Sequence, residues 1–483
     1  MVSPRLLGCA IRSALLLCTA LFWLAAEHVG DGSALVLALL VSLIVMTIAA
    51  TAMAALRSLS GWRWLLASPL AVAAATWLPL FALRPVELYF YPGEAITPMI
   101  QLGYDVGDLS RTVAIAGVGC ATWSLGFLLG LAALRRADLL NASPLDRLTL
   151  RRRAPWIVIA LGAMLAGALF IRQGGPAALI HSAGSLHVNQ GSGFYGQLGI
   201  WMLEGTALYA LAVILQGGAA AREARRVLLA SAPLAVLSTL ALGSRGFIAF
   251  GLLAAAVVYL RLRAPRARTV AITVAVALLV AGALEFAAIV RTNAASTDLS
   301  TAVGRTFQTP VPAFQTADLS VFDDFVAMQG VVPSSISRLD GSSLLQIPAA
   351  LAPRALWPGK PQPIDNLVSE YLYPGATAGT PITMQGELYW NFGLPGVALG
   401  SLAIGLLMGW STVLFFRRSA LSLVLYAVLY ASVFALLTRA LGTMTANTAI
   451  ALVGAGIAVL GASGSSALPF ILEPLRRFRS RIA

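Results

Sequence analysis

Apolar residues fill this chain in long uninterrupted runs, broken by short polar segments rich in Arg, Gly and Pro. A helix needs about 20 such residues to cross a hydrocarbon core at 1.5 Å of rise each. Runs near that length lie at 13–26, 33–56, 65–83, 113–134, 155–171, 198–215, 227–243, 246–260, 269–290, 393–415, 419–437 and 447–462. They lack the every-other-residue alternation of barrel strands, and lipid forces backbone groups to pair within their own segment, so helices are the only spanning form available. The pattern predicts an all-α polytopic membrane protein of about twelve transmembrane helices. The first run is expected to stay as a helix rather than be cleaved as a signal peptide, because a second apolar run follows it directly.

Composition removes the soluble alternative: 11% of residues are charged, against roughly 25% in ordinary soluble domains. A net charge of +13 could point to nucleic acid, so its distribution decides. With the N-terminus inside, the inward segments hold most of the 33 basic residues. Among them are Arg135, Arg136, Arg147, Arg151, Arg152 and Arg153 in one loop, and Arg476, Arg477, Arg479 and Arg481 in the C-terminal tail. Most of the 20 acidic residues fall on the outward side. This is the positive-inside pattern, and it predicts both termini in the cytoplasm. The basic excess then serves insertion and contact with anionic lipids, and no nucleic-acid partner is expected. The three cysteines, Cys9, Cys18 and Cys120, lie in or beside apolar runs with no metal-ligand spacing, so neither a disulfide framework nor a metal site is predicted.

Three parts follow: helices one to nine over 1–290, an outward loop over 291–392, and helices ten to twelve with a basic cytoplasmic tail over 393–483. So long a loop in a compact membrane protein is usually functional. Inside it, Phe314 to Val326 sets Phe314, Val321, Phe322 and Phe325 near helical spacing with Asp318, Asp323 and Asp324 between them. Two placements fit: a helix lying on the outer leaflet, or a short helix capping the bundle.

Charged groups at membrane depth are costly and invite a functional explanation. Glu204 and Glu285 each lie within a predicted span, nearer its outward end. The turn Gly243-Ser244-Arg245-Gly246 joins two short runs, so Arg245 is expected below the outer interface, facing an anion in a polar cavity or pairing with Glu204 or Glu285. Lys360 is the only lysine in the chain, in the proline-dense stretch Ala352 to Pro361 that also holds Arg354 and Trp357. Prolines stiffen that backbone, and a rigid loop with one arginine fork and one ammonium suits a diphosphate; ordinary surface cations are the alternative. In Gly386-Glu387-Leu388-Tyr389-Trp390-Asn391-Phe392-Gly393, Glu387 and Asn391 share a face if the helix begins early. His181 and His187 occupy a Gly-rich outward loop with Arg172, a composition compatible with sugar contacts.

The order Gly341-Ser342-Ser343, Ile347-Pro348, Pro353-Arg354, Trp357-Pro358, Lys360-Pro361 and Gly386-Glu387-x-Tyr389-x-Asn391-x-Gly393 resembles the long outward loop of the O-antigen polymerase (Wzy-type) oligosaccharide repeat-unit polymerases. The Arg245 turn and Arg291 at the end of the ninth run are also similar to that family. The motif likeness covers about 240–393. It implies an enzyme of the bacterial inner membrane that takes undecaprenyl diphosphate-linked oligosaccharides on the periplasmic face and joins their repeat units. It also implies a chain-length regulator and a flippase of the same pathway as partners. For that reaction Arg245, Arg291, Arg354 and Lys360 are the expected diphosphate-binding residues, since charge develops on the leaving oxygen. Glu387 is the first candidate for the base, followed by Asp324, Asp340 and His187. Arg172, Trp357, Tyr389 and Asn391 are expected at the sugars. No cofactor and a metal-independent reaction are expected. Two rivals stand beside this reading: a lipid-linked-sugar glycosyltransferase or O-antigen ligase, with Asp31 or Glu27 as base, and a transporter or flippase, which a long loop and the lack of a repeat disfavour.

Overall fold

The computed structural model describes residues 4–28, 66–95, 97–133, 145–172, 193–241, 245–263, 321–351, 357, 359, 361–374 and 379–463. Among them every regular element is helical. In chain order these are α1 (Pro4–His28), α2 (Pro69–Leu78), α3 (Arg84–Phe90), α4 (Thr97–Gln101), α5 (Val106–Ala133), α6 (Ala154–Arg172), α7 (Gly193–Gln216), α8 (Ala221–Ala241) and α9 (Arg245–Leu262). They continue with α10 (Val321–Val331), α11 (Gln346–Leu351), α12 (Ile364–Leu372), α13 (Met384–Ser411), α14 (Val413–Phe416), α15 (Ala420–Thr438) and α16 (Leu441–Ser463). A π-helical turn, Pro79–Leu83, joins α2 to α3 in one rod.

Six described segments are long and apolar enough to cross a membrane: Pro69–Phe90, Val106–Ala133, Tyr195–Gln216, Met384–Phe416, Ala420–Thr438 and Leu441–Ser463. Shorter apolar helices occupy Ser13–Glu27, Ala154–Ala168 and Ile248–Leu262. The run at 227–243 forms the inner part of α8, whose first turns carry Arg222, Arg225 and Arg226. The runs at 33–56 and 269–290 lie outside the described residues.

The connections fall into two groups, one at each end of the bundle. At one end Asp146 N donates to Arg418 O, Arg151 N to Ala462 O, Gln216 Nε2 to Asp146 O, and Arg261 Nε to Phe415 O. At the other end Arg84 meets Asp323, and Thr443 meets Asp365. This is the alternation expected of antiparallel spans, and the first end carries Arg147, Arg151 to Arg153, Arg222, Arg225, Arg226, Arg417 and Arg418.

The closest helix pair is α5 with α13, and glycine makes it possible. A Cβ on Gly126 or Gly130 would collide with Leu402 O and Leu406 O, and one on Gly405 or Gly409 with Trp123 O and Phe127 O. Two small-xxx-small steps thus face one another, so backbone meets backbone. Trp123 fills the next layer, with its ring edge-on to Trp77 at 5.4 Å and stacked on Phe127 at 5.7 Å.

One expectation changes, and one open alternative is decided. The tenth apolar run was expected to open at 393, but the helix begins at Met384, where Thr383 Oγ1 caps it by accepting from Gly386 N at 2.9 Å. Position 393 is instead a break within α13, where Gly393 takes φ +64° and Pro395 removes a donor two residues on. Of the two placements open for this helix the structure takes the capping one: α10 has Val321 to Gln329 buried, packed between α5, α13, α4 and α12. It caps the bundle because its polar face is consumed by internal bonds rather than by water, while 314–320 lies outside the described residues.

Replacing Gly126 or Gly405 by Leu should prise α5 from α13 and cost about 1–3 kcal/mol, read as an earlier melting transition of the detergent-solubilised protein. Leu in place of the uncrowded Gly167, where a Cβ meets nothing within 4 Å, should leave melting unchanged.

Candidate functional site

At the end of the bundle where α3, α10, α12, α13 and α16 converge lie two pairs of neighbouring carboxylates, Asp323 with Asp324 and Asp365 with Glu387. The first link is an ion pair. Arg84, 1% exposed, donates from Nε to Asp323 Oδ1 at 3.0 Å and from Nη2 to Asp323 Oδ2 at 2.7 Å, while Nη1 reaches Glu87 Oε2 at 2.7 Å. The planar fork matches a carboxylate edge, which Lys could not do. Arg84 follows the π-helical turn, and that extra residue per turn sets where its side chain leaves the rod.

Asp324 sits beside Asp323, buried to 2% exposure, and accepts from the Tyr373 hydroxyl at 2.8 Å. Burial, with Asp323 adding like charge, pushes the Asp324 carboxyl up to about 8, against the opposing hydrogen bond from Tyr373. Burial and the same two carboxylates push the Tyr373 hydroxyl up as well. At neutral pH Asp324 is therefore mostly protonated: it can donate a proton but is a poor base.

Next to this lies a knot around Glu387, which is fully buried. Ser343 Oγ donates to Glu387 Oε1 at 2.6 Å and Gly442 N, in the first turn of α16, donates to Oε2 at 3.3 Å. Asn391, one turn after Glu387, donates from Nδ2 to Ser343 Oγ at 2.7 Å and to Glu387 O at 2.8 Å, and its Oδ1 accepts from Gly341 N at 2.9 Å. Gly341 takes φ +88°, and a Cβ there would press on the Phe392 ring. Leu339 N to Trp390 O at 3.2 Å and Trp390 Nε1 to Ser337 O at 3.1 Å complete the seam. The break at Gly393 serves the same seam, since the Arg338 guanidinium lies 3.0 Å from where its Cβ would be.

A third group surrounds Asp365, in the first turn of α12, whose buried positions Ile364, Val368 and Leu372 follow a four-residue step. Thr443 Oγ1 donates to Asp365 Oδ2 at 3.1 Å. Oδ1 is buried and has no hydrogen-bond partner. Burial pushes this carboxyl up to about 6, while the half-buried Arg439 and the Thr443 hydroxyl pull the other way.

Of the sequence candidates, Glu387 and Asn391 meet in one hydrogen-bonded unit, and Asp324 lies on the neighbouring helix. Tyr389 is 8% exposed and its ring tilts toward Phe325 at 6.5 Å. Trp357 is 43% exposed. Asp340 is exposed at a turn with φ 46°, next to the Gly341 amide that binds Asn391. Arg245 begins α9 and Arg172 ends α6, with side chains outside the described set; His187, Arg291, Arg354 and Lys360 lie outside the described residues. Glu27 is on α1, where Trp23 Nε1 donates to it at 2.9 Å. Glu204 lies halfway along α7 rather than near its outward end, against Gly251 of α9, with Oε2 unpartnered. Sequence reasoning missed the roles of Arg84, Tyr373, Asp365, Arg439 and Thr443. For Asp365 a signal existed, since it opens a short amphipathic stretch. Among the described residues no three His, Cys, Asp or Glu groups gather closely enough to hold a metal ion. Compared with known protein families, curated proteins and solved structures, the chain gives no match.

Arg84→Met, which strands the buried Asp323 carboxylate, should cost about 3–5 kcal/mol, and Asp323→Leu less, since Arg84 keeps its pair with Glu87. Both changes together should cost less than the two single losses added, as a double-mutant cycle on thermal or denaturant melting would read. Because native Asp324 holds its proton far above the unfolded value of 3.8, the folded state binds more protons than the unfolded one between about 4 and 8. Its contribution is thus present at low pH and lost as pH rises through that window. Asp324→Asn, which mimics the protonated form, should keep stability at pH 5 and flatten the decline toward pH 8 in melting temperature against pH.

Proposed function

We propose that this chain is a membrane glycosyltransferase of the polysaccharide-polymerase type, joining oligosaccharide repeat units carried on undecaprenyl diphosphate. The observation that carries the reading is the meeting of two distant stretches on which the polymerase resemblance rests. Gly341-Ser342-Ser343 and Gly386 to Gly393 interlock through Ser343–Glu387, Ser343–Asn391 and Gly341–Asn391 hydrogen bonds. That these two stretches, more than forty residues apart, meet in one hydrogen-bonded unit supports the reading.

In this reading the chain has about twelve spans in a bacterial inner membrane. The arginine-rich end faces the cytoplasm and the carboxylate-rich end the periplasm. Glycosyl transfer from a lipid diphosphate needs cations for the leaving group and a carboxylate for the attacking hydroxyl. Arg245, Arg291, Arg354 and Lys360 supply the first. The Glu387 knot and its neighbours supply the frame for the second, with Arg172, Trp357, Tyr389 and Asn391 at the sugars. The reaction is metal-independent on this proposal, because a diphosphate already leaves well. Anionic lipids, a flippase and a chain-length regulator are the partners.

Deletion of the gene should leave surface glycan as single-repeat material on a gel, and the intact gene should restore the ladder. Loss of all attached glycan would instead identify a ligase, and unchanged glycan with altered solute uptake a transporter. Alanine at Arg245, Arg354 or Lys360 should abolish the ladder while membrane insertion stays normal; normal ladders in all three would remove the diphosphate site.

A further inference from the structure

We infer that Asp365, rather than Glu387, is the carboxylate that receives the acceptor sugar, its Oδ1 taking the hydrogen of the attacking hydroxyl. The inference rests on the polymerase reading above and assigns that reaction a residue outside the sequence motifs. Glu387 is enclosed on every side, and each of its oxygens already accepts a hydrogen bond, from Ser343 and from Gly442. Its bonds hold three segments together: the 341–343 turn, α13 and the start of α16. That is a positioning role.

Asp365 differs in each respect. One oxygen is anchored by Thr443, and the other, Oδ1, is buried with nothing donating to it. A buried acceptor without a donor is uncommon in a folded protein, and a hydroxyl donor entering the site would satisfy it. The residue as a whole keeps partial exposure, whereas Glu387 has none. Its backbone is held in place, since Asp365 O accepts from Thr380 N at 2.9 Å and from Ser369 Oγ at 3.2 Å. Ser369 Oγ also lies 2.9 Å from Thr380 Oγ1. Oδ1 therefore sits on a braced turn, a requirement for holding a reactant in fixed geometry.

The charged groups that act on Asp365 are Arg439, from the corner between α15 and α16, and Glu387, from α13. Arg439 favours the ionised carboxylate, and with burial acting the other way the carboxyl titrates near 6. Such a group is charged at neutral pH and still basic enough to accept a proton. In the step itself, the acceptor hydroxyl oxygen forms a bond to the anomeric carbon of the donor. The bond from that carbon to the diphosphate oxygen breaks, its electron pair leaves with the diphosphate, and the hydroxyl proton passes to Asp365. Water then removes that proton.

The test uses the full-length protein in liposomes, with the lipid-linked single-repeat material extracted from the deletion strain as substrate. The wild type should polymerise it at a rate that falls as pH drops below about 6. Asp365→Asn should lower the rate on the order of 100-fold or more with an unchanged melting temperature. Asp365→Glu should restore part of the rate with a displaced acid limb. Glu387→Gln should lower melting temperature and rate together, while whatever rate remains keeps an acid limb, moved toward lower pH by the loss of a like charge beside Asp365. If Asp365→Asn melts early, the Asp365→Glu variant decides: a displaced limb supports the assignment and an undisplaced one overturns it. Wild-type rates in a folded Asp365→Asn protein would overturn the assignment while leaving the polymerase reading intact. A wild type that forms no polymer would overturn that reading, and the assignment with it.

Discussion

A guanidinium enclosed at the end of an apolar rod is tolerable only if a carboxylate meets it, and Asp323 does so with both oxygens. The rest of the candidate site hangs from that pair. Asp323 fixes α10 against α3, the adjacent Asp324 receives Tyr373, and Tyr373 ends the helix whose first turn bears Asp365. A salt bridge of this kind need not add net stability over apolar residues of equal volume. Its value here is positional, because it ties α10 to α3.

A second constraint acts from within the bundle. Glycines on α5 and α13 bring the two backbones into contact, and such contact permits little sliding or rotation. The part of α13 below Gly393 is thereby held, while the part above it turns at the break and carries Glu387 and Asn391 into the seam with 337–343. The break costs intrahelical hydrogen bonds, which the seam replaces through Leu339 N to Trp390 O and the indole of Trp390 to Ser337 O. Rigid packing below and a polar knot above place buried carboxylates where α13 meets the 337–343 segment.

Most helices could be read from hydropathy because each is local: a run of apolar residues must bond to itself in lipid whatever its neighbours do. The α13 start illustrates the limit. Its first nine residues include Gln385, Glu387 and Asn391, too polar to score as a span, yet they are helical because Thr383 caps them and neighbouring segments satisfy the side chains of Glu387 and Asn391. Helix α10 shows a similar limit. Alternating acids and aromatics look amphipathic, suited to a lipid surface, but Arg84 and Tyr373 bind the acids from distant parts of the chain and the helix is buried whole.

By itself the sequence determined the all-helical class, the helices long and apolar enough to cross a membrane and the larger share of arginine at one end of the described residues, since each depends on local hydropathy or on charge counted loop by loop. It also marked Glu387, Asn391 and Asp324 as residues needing an explanation. Only the tertiary structure decided that Glu387 is saturated and enclosed, that Asp365 retains an open acceptor, and that Arg84 and Thr443 belong beside them. Those facts arise from contacts between residues tens to hundreds of positions apart, where the energetic outcome depends on which partner arrives in space and not on the neighbours along the chain.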